Sequence, residues 1–478
     1  MTNNSIYVNP LCDRYASKEM QEIFSNDNKF ITWRKLWIAL AESEKELGLD
    51  ITDKQIAQLK AKATNINYDV AKQRELEVRH DVMSHVYAYG VQCPDAAGII
   101  HLGATSAYVG DNTDIIVMRQ GLLQVKKLLL NTIYALYKFS DSYKSITTLA
   151  YTHFQSAQPT TVGKRATLWL NELLMDLESI DNTIDNLHLL GCKGTTGTGA
   201  SFYELFNGDY EKVKTLEKLI ARKVDFVKVA SVSGQTYSRK LDYMVLSTLS
   251  KIAQSAHKFA GDIRLLSHLK EVEEPFESKQ IGSSAMAYKR NPMRSERICS
   301  LSRFVIVNAE NPAITSASQW FERTLDDSAN RRISIPQSFL AIDGILSLYI
   351  NIISGLKIYP KIIEKHLNEE LPFMLTENIL MDAVKKGGDR QELHEVIRKH
   401  SIDTIRSIKE EGKDNDLLER LANDSSFNLT QEEMKTIIKN PNISGCAIIQ
   451  TTEYLENEIK PILEKYKDLL GCDIKITV

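Results

Sequence analysis

Apolar residues recur every three or four positions over most of the chain, which is the pattern of amphipathic helices. The clearest run comprises Leu241, Val245, Leu249, Ile252, Ala256, Phe259, Ile263 and Leu266. Similar runs extend from Ala166 to Leu187 and from Ile115 to Leu136. Each predicts a helix of roughly twenty-five to thirty residues, too long to bury its apolar face in a small globule. The pattern therefore predicts a long helix bundle that is completed by oligomerisation.

The same periodicity divides the chain into three predicted helical domains. Residues 1–105 contain shorter helices, including one over 30–47 that Gly48 ends. Residues 106–358 form the predicted bundle. Pro360 marks the start of a smaller helical domain, 359–478. The predicted fold class is all-α, with three helical domains around a central long-helix bundle.

Composition excludes several kinds of partner. Of 478 residues 43% are hydrophobic and 25% charged, as in globular proteins. The net charge is 59 − 62 = −3, which argues against a general nucleic-acid binder. The most apolar stretch, 337–356, contains Asp343 and Asn351, so it indicates a buried bundle helix and no membrane span.

The cysteines indicate a reducing compartment. Six of them are scattered along the chain without a CxxC pair or any metal-ligand spacing. We therefore expect no metal site. The N-terminus lacks the basic and then apolar pattern of a signal peptide. Together these features predict a cytoplasmic protein.

The most distinctive polar stretch is 281–297. Gly282, Ser283 and Ser284 form a small, bendable start, and Asn291-Pro292 is a predicted helix N-cap followed by proline at the first helical position. Such a helix start favours a bound anion. The stretch contains four cations, Lys289, Arg290, Arg294 and Arg297, and only one acid, Glu296. Composition alone leaves two interpretations equally open, a site for a polyanionic small molecule and a solvated basic loop.

Four further stretches carry reactive groups. They are 79–81, which contains Arg79, His80 and Asp81; 101–106, which contains Thr105 and Ser106; 152–161, which contains His153; and 323–332, which contains Arg323, Ser328 and Arg332. Taken alone, a solvated helix face or ordinary helix capping explains the first two better. A lone histidine is usually structural. The glycine-rich stretch 194–199 is only a weak signal for a phosphate cradle, because it is neither a P-loop nor GxGxxG after a strand.

The order of residues in 282–292 resembles the signature of the fumarate lyase (aspartase/fumarase) superfamily, Gly-Ser-Ser-x-Met-x-x-Lys-x-Asn-Pro. The continuation Lys-Arg-Asn-Pro-Met-Arg-Ser-Glu is similar to that of the adenylosuccinate lyase family. The superfamily's two other motif stretches, 101–106 and 152–161, occur in the same order. Two positions depart from the pattern: Ala287 replaces the usual proline, and Tyr288 stands where many members have histidine.

The resemblance implies an all-α, three-domain homotetramer whose active sites are shared between subunits. It assigns the acid–base pair to His153 and Ser283. It also assigns a set of positions to the substrate site: Arg14, Tyr15, Arg79, His80, Asp81, Thr105, Ser106, Gln235, Lys289, Asn291, Arg297, Arg323, Ser328 and Arg332.

The implied reaction is β-elimination of fumarate from succinylamino nucleotides. The two implied substrates are adenylosuccinate, which yields AMP, and the succinylaminoimidazole carboxamide ribotide SAICAR, which yields AICAR. Two carboxylates and a phosphate on each substrate suit the clustered arginines. Neither a metal nor an organic cofactor is expected. The alternatives are another fumarate-releasing lyase such as argininosuccinate lyase, fumarase or aspartase, a non-catalytic helical scaffold of the same fold, and a nucleotide kinase, which rests only on 194–199.

Overall fold

The computed structural model describes residues 5–427, 429–438, 443–474 and 476, and confirms the all-α fold class. The first helices are α1 (Lys18–Ile23), α2 (Asn26–Glu46), α3 (Asp53–Ala61), α4 (Tyr68–Val78) and α5 (Asp81–Gln92). The central helices are α6 (Ser106–Ser142), α7 (Val162–Asn186), α8 (Ala200–Leu205), α9 (Tyr210–Lys223), α10 (Lys240–His268), α11 (Met293–Asn308), α12 (Glu310–Ser318) and α13 (Asp327–Gly355). The last are α14 (Pro360–Met374), α15 (Thr376–Lys385), α16 (Arg390–Glu411), α17 (Leu417–Asn423), α18 (Gln431–Ile438), α19 (Ala447–Tyr454) and α20 (Lys460–Lys465).

Short strands form two antiparallel pairs between these helices. Strands β1 (Thr147–Thr152) and β2 (Gln155–Thr161) make a hairpin between α6 and α7. Strands β3 (Val272–Glu273) and β4 (Lys357–Ile358) join the chain after α10 to the chain after α13. The sequence pattern predicted only a polar turn in 152–161. The strands were missed there because Thr, Gln and Ser give no alternating apolar signal.

The long bundle forms for the reason that the periodicity indicated. The predicted seam of α10 is buried along its whole length, and its Phe259 ring stacks 3.7 Å from the Tyr349 ring of α13. Helix α13 is long and apolar enough to cross a membrane, yet 83% of its most apolar window is buried inside the protein. It packs against α6, α10 and α11. That burial identifies α13 as a core helix of the bundle.

Helices α6, α10 and α13 start at the same end of the bundle. Arg239, just before α10, donates from Nη1 to Asp111 of α6 at 3.0 Å. Its Nε donates to Asp327, the first residue of α13, at 2.6 Å. We call this the network end.

The opposite end carries the hairpin and the loop before α11. Gly163 at the start of α7 packs so closely that a Cβ there would lie 2.4 Å from the Ser140 carbonyl oxygen, near the end of α6. A Cβ on Gly355, the last residue of α13, would lie 2.7 Å from Pro275, which follows α10 and β3. We call this the hairpin end. The 29 residues of α10 separate the two ends by roughly 43 Å.

The two flanking regions have cores of their own. The buried face of α2, with Trp33, Leu36, Trp37 and Leu40, packs into the first region's core, and Gly48 in left-handed backbone ends this segment as predicted. Helices α15 to α18 enclose a smaller C-terminal core. Residues of the segment 455–463 return to the bundle core. The domain boundaries at 105 and 358 stay a prediction.

Candidate active site

The histidine assigned to acid–base chemistry lies at the tip of the hairpin. Thr152 pairs with Gln155, so the turn consists of His153 and Phe154 alone. Both have positive φ, 53° and 59°, as in a type I′ turn, which normally carries Asn-Gly. This backbone is unfavourable for residues with a Cβ. The turn thus holds His153 exposed in a strained conformation. Strain of this kind favours a functional role.

The serine motif forms a loop that bonds to itself. Gly282 is buried, and a Cβ there would lie 2.2 Å from the Lys289 carbonyl oxygen, so no other residue fits. The Asn291 side-chain amide donates to the Gly282 carbonyl oxygen at 2.9 Å. The Met286 backbone N–H donates to Ser283 Oγ at 3.1 Å. An N–H donor on a hydroxyl oxygen stabilises the deprotonated form, so this geometry suits a serine that acts as a base.

The start of α11 differs from the prediction. The helix begins at Met293, and the Asn291 side chain bonds within the loop instead of capping the helix. Glu274 takes the cap position: its carboxylate accepts from the backbone N–H of Arg294 at 3.0 Å and of Ser295 at 2.7 Å. Burial raises the pKa of Glu274 although these hydrogen bonds oppose the shift. These two backbone N–H groups therefore already have an acceptor within the protein, and the expectation that the helix start holds a substrate anion stays a prediction.

The four cations of this stretch also separate into two kinds. Arg294 is buried, and its guanidinium donates to the Glu277 carboxylate at 2.6 Å. Arg290 lies 3.5 Å from a carboxylate of β3. Across the residues that the structure describes, no acid lies within ion-pair distance of Lys289 or Arg297. Lys289 on the loop and Arg297 on α11 are therefore the cations of this stretch that remain available to a ligand.

At the network end, predicted site residues from three helices meet. His80 precedes α5, and its Nε2 lies 3.3 Å from Ser106 Oγ at the start of α6. Asp81 lies 3.7 Å from the Arg332 guanidinium on α13. Thr105 is the residue before α6, yet its hydroxyl makes no capping bond. The ordinary capping role considered for Thr105 is thus unused, and its hydroxyl is free for a ligand.

A buried ionic network that the sequence reasoning missed lies directly beneath these residues. Arg331 donates from Nε to Asp242 at 2.6 Å and lies 3.0 Å from Asp114. The Tyr237 hydroxyl donates to Asp242 at 2.6 Å, and the Tyr237 ring lies 4.5 Å from the Arg239 guanidinium. Burial raises the pKa of Tyr237 well above its usual value, which keeps the hydroxyl protonated. The only signal in the sequence was the pair Arg331-Arg332, in which one arginine is buried and the other exposed.

The remaining residues of the network end lie on two adjoining loops. The Gln235 backbone N–H donates to the Glu322 carbonyl oxygen, and its side-chain Nε2 donates to the Thr195 carbonyl oxygen, both at 3.1 Å. Arg323 follows Glu322 directly. Ser328 lies one helical turn before Arg332 on α13. The backbone hydrogen bond to Glu322 places Gln235 next to the residue that precedes Arg323.

The glycine-rich stretch 194–199 has a packing role in this region. Gly197 has φ +87°, and a Cβ there would lie 1.9 Å from the Ser233 carbonyl oxygen. Backbone lies against backbone at this point, so glycine is required whether or not a ligand binds. The glycine content of 194–199, on which the nucleotide kinase alternative rested, is thus explained by packing.

Two predicted residues lie apart from both groups, whereas Arg79 directly precedes His80 and belongs to the network end. Arg14 and Tyr15 belong to a short π-helical turn, Leu11–Tyr15, that packs against Gly344. Gly344 is roughly 25 Å along α13 from the network end. Arg79 ends α4 in left-handed backbone with φ 54°.

One chain therefore does not bring the predicted catalytic and binding residues together. Ser283, Lys289 and Asn291 belong to the hairpin end, whereas the His80, Gln235 and Arg332 groups belong to the network end, roughly 40 Å away. At the hairpin end itself, no hydrogen bond or ion pair between described residues links His153 to the serine loop.

Comparisons with known proteins identify relatives along nearly the whole chain. A family model described as "Lyase" matches residues 15–306, and one described as "Adenylosuccinate lyase C-terminus" matches residues 372–453. The chain is 50% identical to "Adenylosuccinate lyase" of Schizosaccharomyces pombe, over 98% of each chain. It is 50% identical to "Adenylosuccinate lyase" of Saccharomyces cerevisiae, over 99% of each chain.

A solved structure confirms the fold. The crystal structure of a fumarate lyase from Mesorhizobium sp. BNC1 superposes with a TM-score of 0.80 at 21% identity, covering 95% of this chain and 100% of that chain.

Proposed function

The chain belongs to the adenylosuccinate lyase family of the fumarate lyase superfamily, and from this premise we propose how its residues carry out the reaction. It is a carbon–nitrogen lyase that releases fumarate from adenylosuccinate, giving AMP, and from SAICAR, giving AICAR. The observation that carries this function is 50% identity over 98% of the chain to an adenylosuccinate lyase. The same observation favours it over the argininosuccinate lyase and scaffold alternatives.

Ser283 acts as the base. It removes the proton from the carbon next to a substrate carboxylate, and the electron pair left behind adds negative charge to that carboxylate. The Met286 N–H on its Oγ favours the alkoxide, and the unpaired ammonium of Lys289 stabilises the carbanionic charge. The carbon–nitrogen bond then breaks, and fumarate forms.

His153 acts as the acid and protonates the leaving nitrogen, so that AMP or AICAR departs neutral at that atom. The strained turn presents its imidazole at the surface of the chain, where it meets substrate held by other residues. Arginines and hydroxyls of the network end, with Arg14, Tyr15 and Arg297, hold the phosphate and carboxylates. The elimination needs neither a metal nor an organic cofactor.

The distance between the hairpin-end and network-end residues within one chain supports a homotetramer with shared active sites. Several large apolar side chains on α7, α11 and α12 are exposed: Leu168 by 53%, Met175 by 63%, Val307 by 68% and Ile314 by 67%. Exposed apolar faces of this kind mark protein–protein interfaces. In the proposed tetramer, the network end of one chain lies beside the hairpin ends of others, and His153 and Ser283 of one site come from different chains. We propose the same three-domain division as the sequence pattern gives, and a cytoplasmic location.

Fumarate release tests the function directly. The purified protein is given adenylosuccinate, SAICAR, argininosuccinate or aspartate in parallel. We expect fumarate from the first two substrates only, with activity unchanged after dialysis against a chelator. Release from argininosuccinate or aspartate alone would overturn the assignment. Sedimentation of the active protein as a monomer would refute the tetramer.

A further inference from the structure

Lys29 is a cation near the network end that no family motif identified. Lys29 lies in the first turn of α2, and its Nζ is 5.1 Å from the Phe30 ring centroid and 5.0 Å from that of Trp33. The Phe30 ring stacks 3.8 Å from His85 of α5, one turn after Asp81. These aromatic contacts place the ammonium beside the start of α5, where the His80 group lies.

The acids around Lys29 already have partners. Asp81 is paired with Arg332, and Asp114 with Arg331. Among the described residues, no carboxylate lies within ion-pair distance of Lys29 Nζ. Burial lowers the pKa of Lys29, while the charges of Asp114 and Asp81 oppose that shift. The ammonium is thus partly removed from water without an ionic partner.

A partly buried ammonium without an ionic partner is unfavourable unless an anion binds next to it. Contact with two ring faces offsets only a small part of the lost hydration. A substrate that carries a phosphate and two carboxylates supplies the missing anion. The neighbouring groups His80, Asp81 and Arg332 are predicted to contact that substrate.

We propose that Lys29 is a further substrate-binding residue, whose ammonium contacts an oxyanion of the bound nucleotide. The proposal rests on the proposed function, since it takes the substrate class from it. The oxyanion is either the phosphate or a carboxylate. Binding of the two products distinguishes these possibilities, because AMP carries only the phosphate and fumarate carries only the carboxylates.

The test compares Lys29→Met with wild type by calorimetric titration with AMP and, separately, with fumarate. Methionine keeps an unbranched stem over the two rings and removes only the charge. Lys29→Arg keeps the charge, and Lys35→Met removes an exposed lysine from the same helix as a matched control. Lys29→Gln replaces Lys29→Met if the latter does not fold, as judged by circular dichroism.

We expect Lys29→Met to weaken the binding of one product by about tenfold or more, the usual effect of a hydrogen bond to a charged group. Lys29→Arg should restore most of the affinity, and Lys35→Met should bind like wild type. Weaker AMP binding assigns the phosphate, and weaker fumarate binding assigns a carboxylate. Unchanged affinity for both products would overturn the proposal. A wild-type protein that binds AMP but releases no fumarate from adenylosuccinate would refute the function and leave the Lys29 result standing.

Discussion

The two ends of the bundle are built in opposite ways. At the network end, Asp111, Asp242 and Asp327 form buried ion pairs with Arg239 and Arg331. These ion pairs hold the starts of α6, α10 and α13 together. At the hairpin end, an exposed loop is closed by hydrogen bonds between its own residues, and a strained turn extends into solvent.

The difference separates binding from chemistry. A buried network with few alternative arrangements preorganises the hydroxyls and cations that hold substrate. The reacting groups instead lie on segments that need little support from their own chain. We infer that other subunits bring them to the substrate, with His153 from one chain and Ser283 from another.

The largest expected effect concerns Ser283. If it is the base, Ser283→Ala should lower turnover by roughly 10²–10⁴-fold, the usual size of an acid–base contribution. Substrate affinity should change little, because other residues bind the substrate. Turnover and substrate binding are measured for Ser283→Ala and for Ser284→Ala as the control.

Two results would change this assignment. Near-normal turnover in Ser283→Ala with a loss in Ser284→Ala would move the base by one residue. If both variants stay active, the serine base is wrong, and His153 or His80 becomes the candidate.

The second prediction compares the two ends in stability. Arg239→Met leaves Asp111 and Asp327 buried without their cation. The free energy of unfolding, measured in urea, should therefore fall by about 3–5 kcal/mol. Lys289→Met, on the exposed loop, should change the unfolding free energy by less than about 0.5 kcal/mol and yet lower turnover. Equal stability losses in both variants would contradict the contrast between the ends.

The sequence predicted the parts of this picture that depend on local pattern. The long helices, the seam of α10 and the stop at Gly48 follow from apolar spacing and glycine chemistry. The family motifs located the loop that holds Ser283. The structure brings His80, Asp81, Ser106 and Arg332 close together, and their roles in substrate binding stay a prediction.

What the sequence did not predict depends on contacts between distant segments. Glu274 caps α11 from outside the helix, so no local rule could remove Asn291 from that role. Arg331 and Arg332 look alike in sequence, and only the helix packing buries the first. Lys29 is one of many lysines until the packing of α2 on α5 brings it near Asp81.

The smallest expected effect concerns the cap at the hairpin end. Glu274→Ala removes the acceptor for two backbone N–H groups at the start of α11, so thermal or urea unfolding should show a loss of about 1–2 kcal/mol. Glu296→Ala, an exposed acid on the same helix, is the control and should change little. An unchanged stability in Glu274→Ala would mean that the helix start does not depend on this carboxylate.

The shared site is tested most directly by subunit complementation. His153→Ala and Ser283→Ala proteins, each inactive alone, are mixed, and subunit exchange is demonstrated with a label on one of them. If the hairpin and the serine loop come from different chains, random exchange of equal amounts restores both groups at about a quarter of the sites, and activity returns in that proportion. If exchange occurs and no activity returns, one chain supplies both residues to each site, and the proposed division of the hairpin and the serine loop between chains is contradicted.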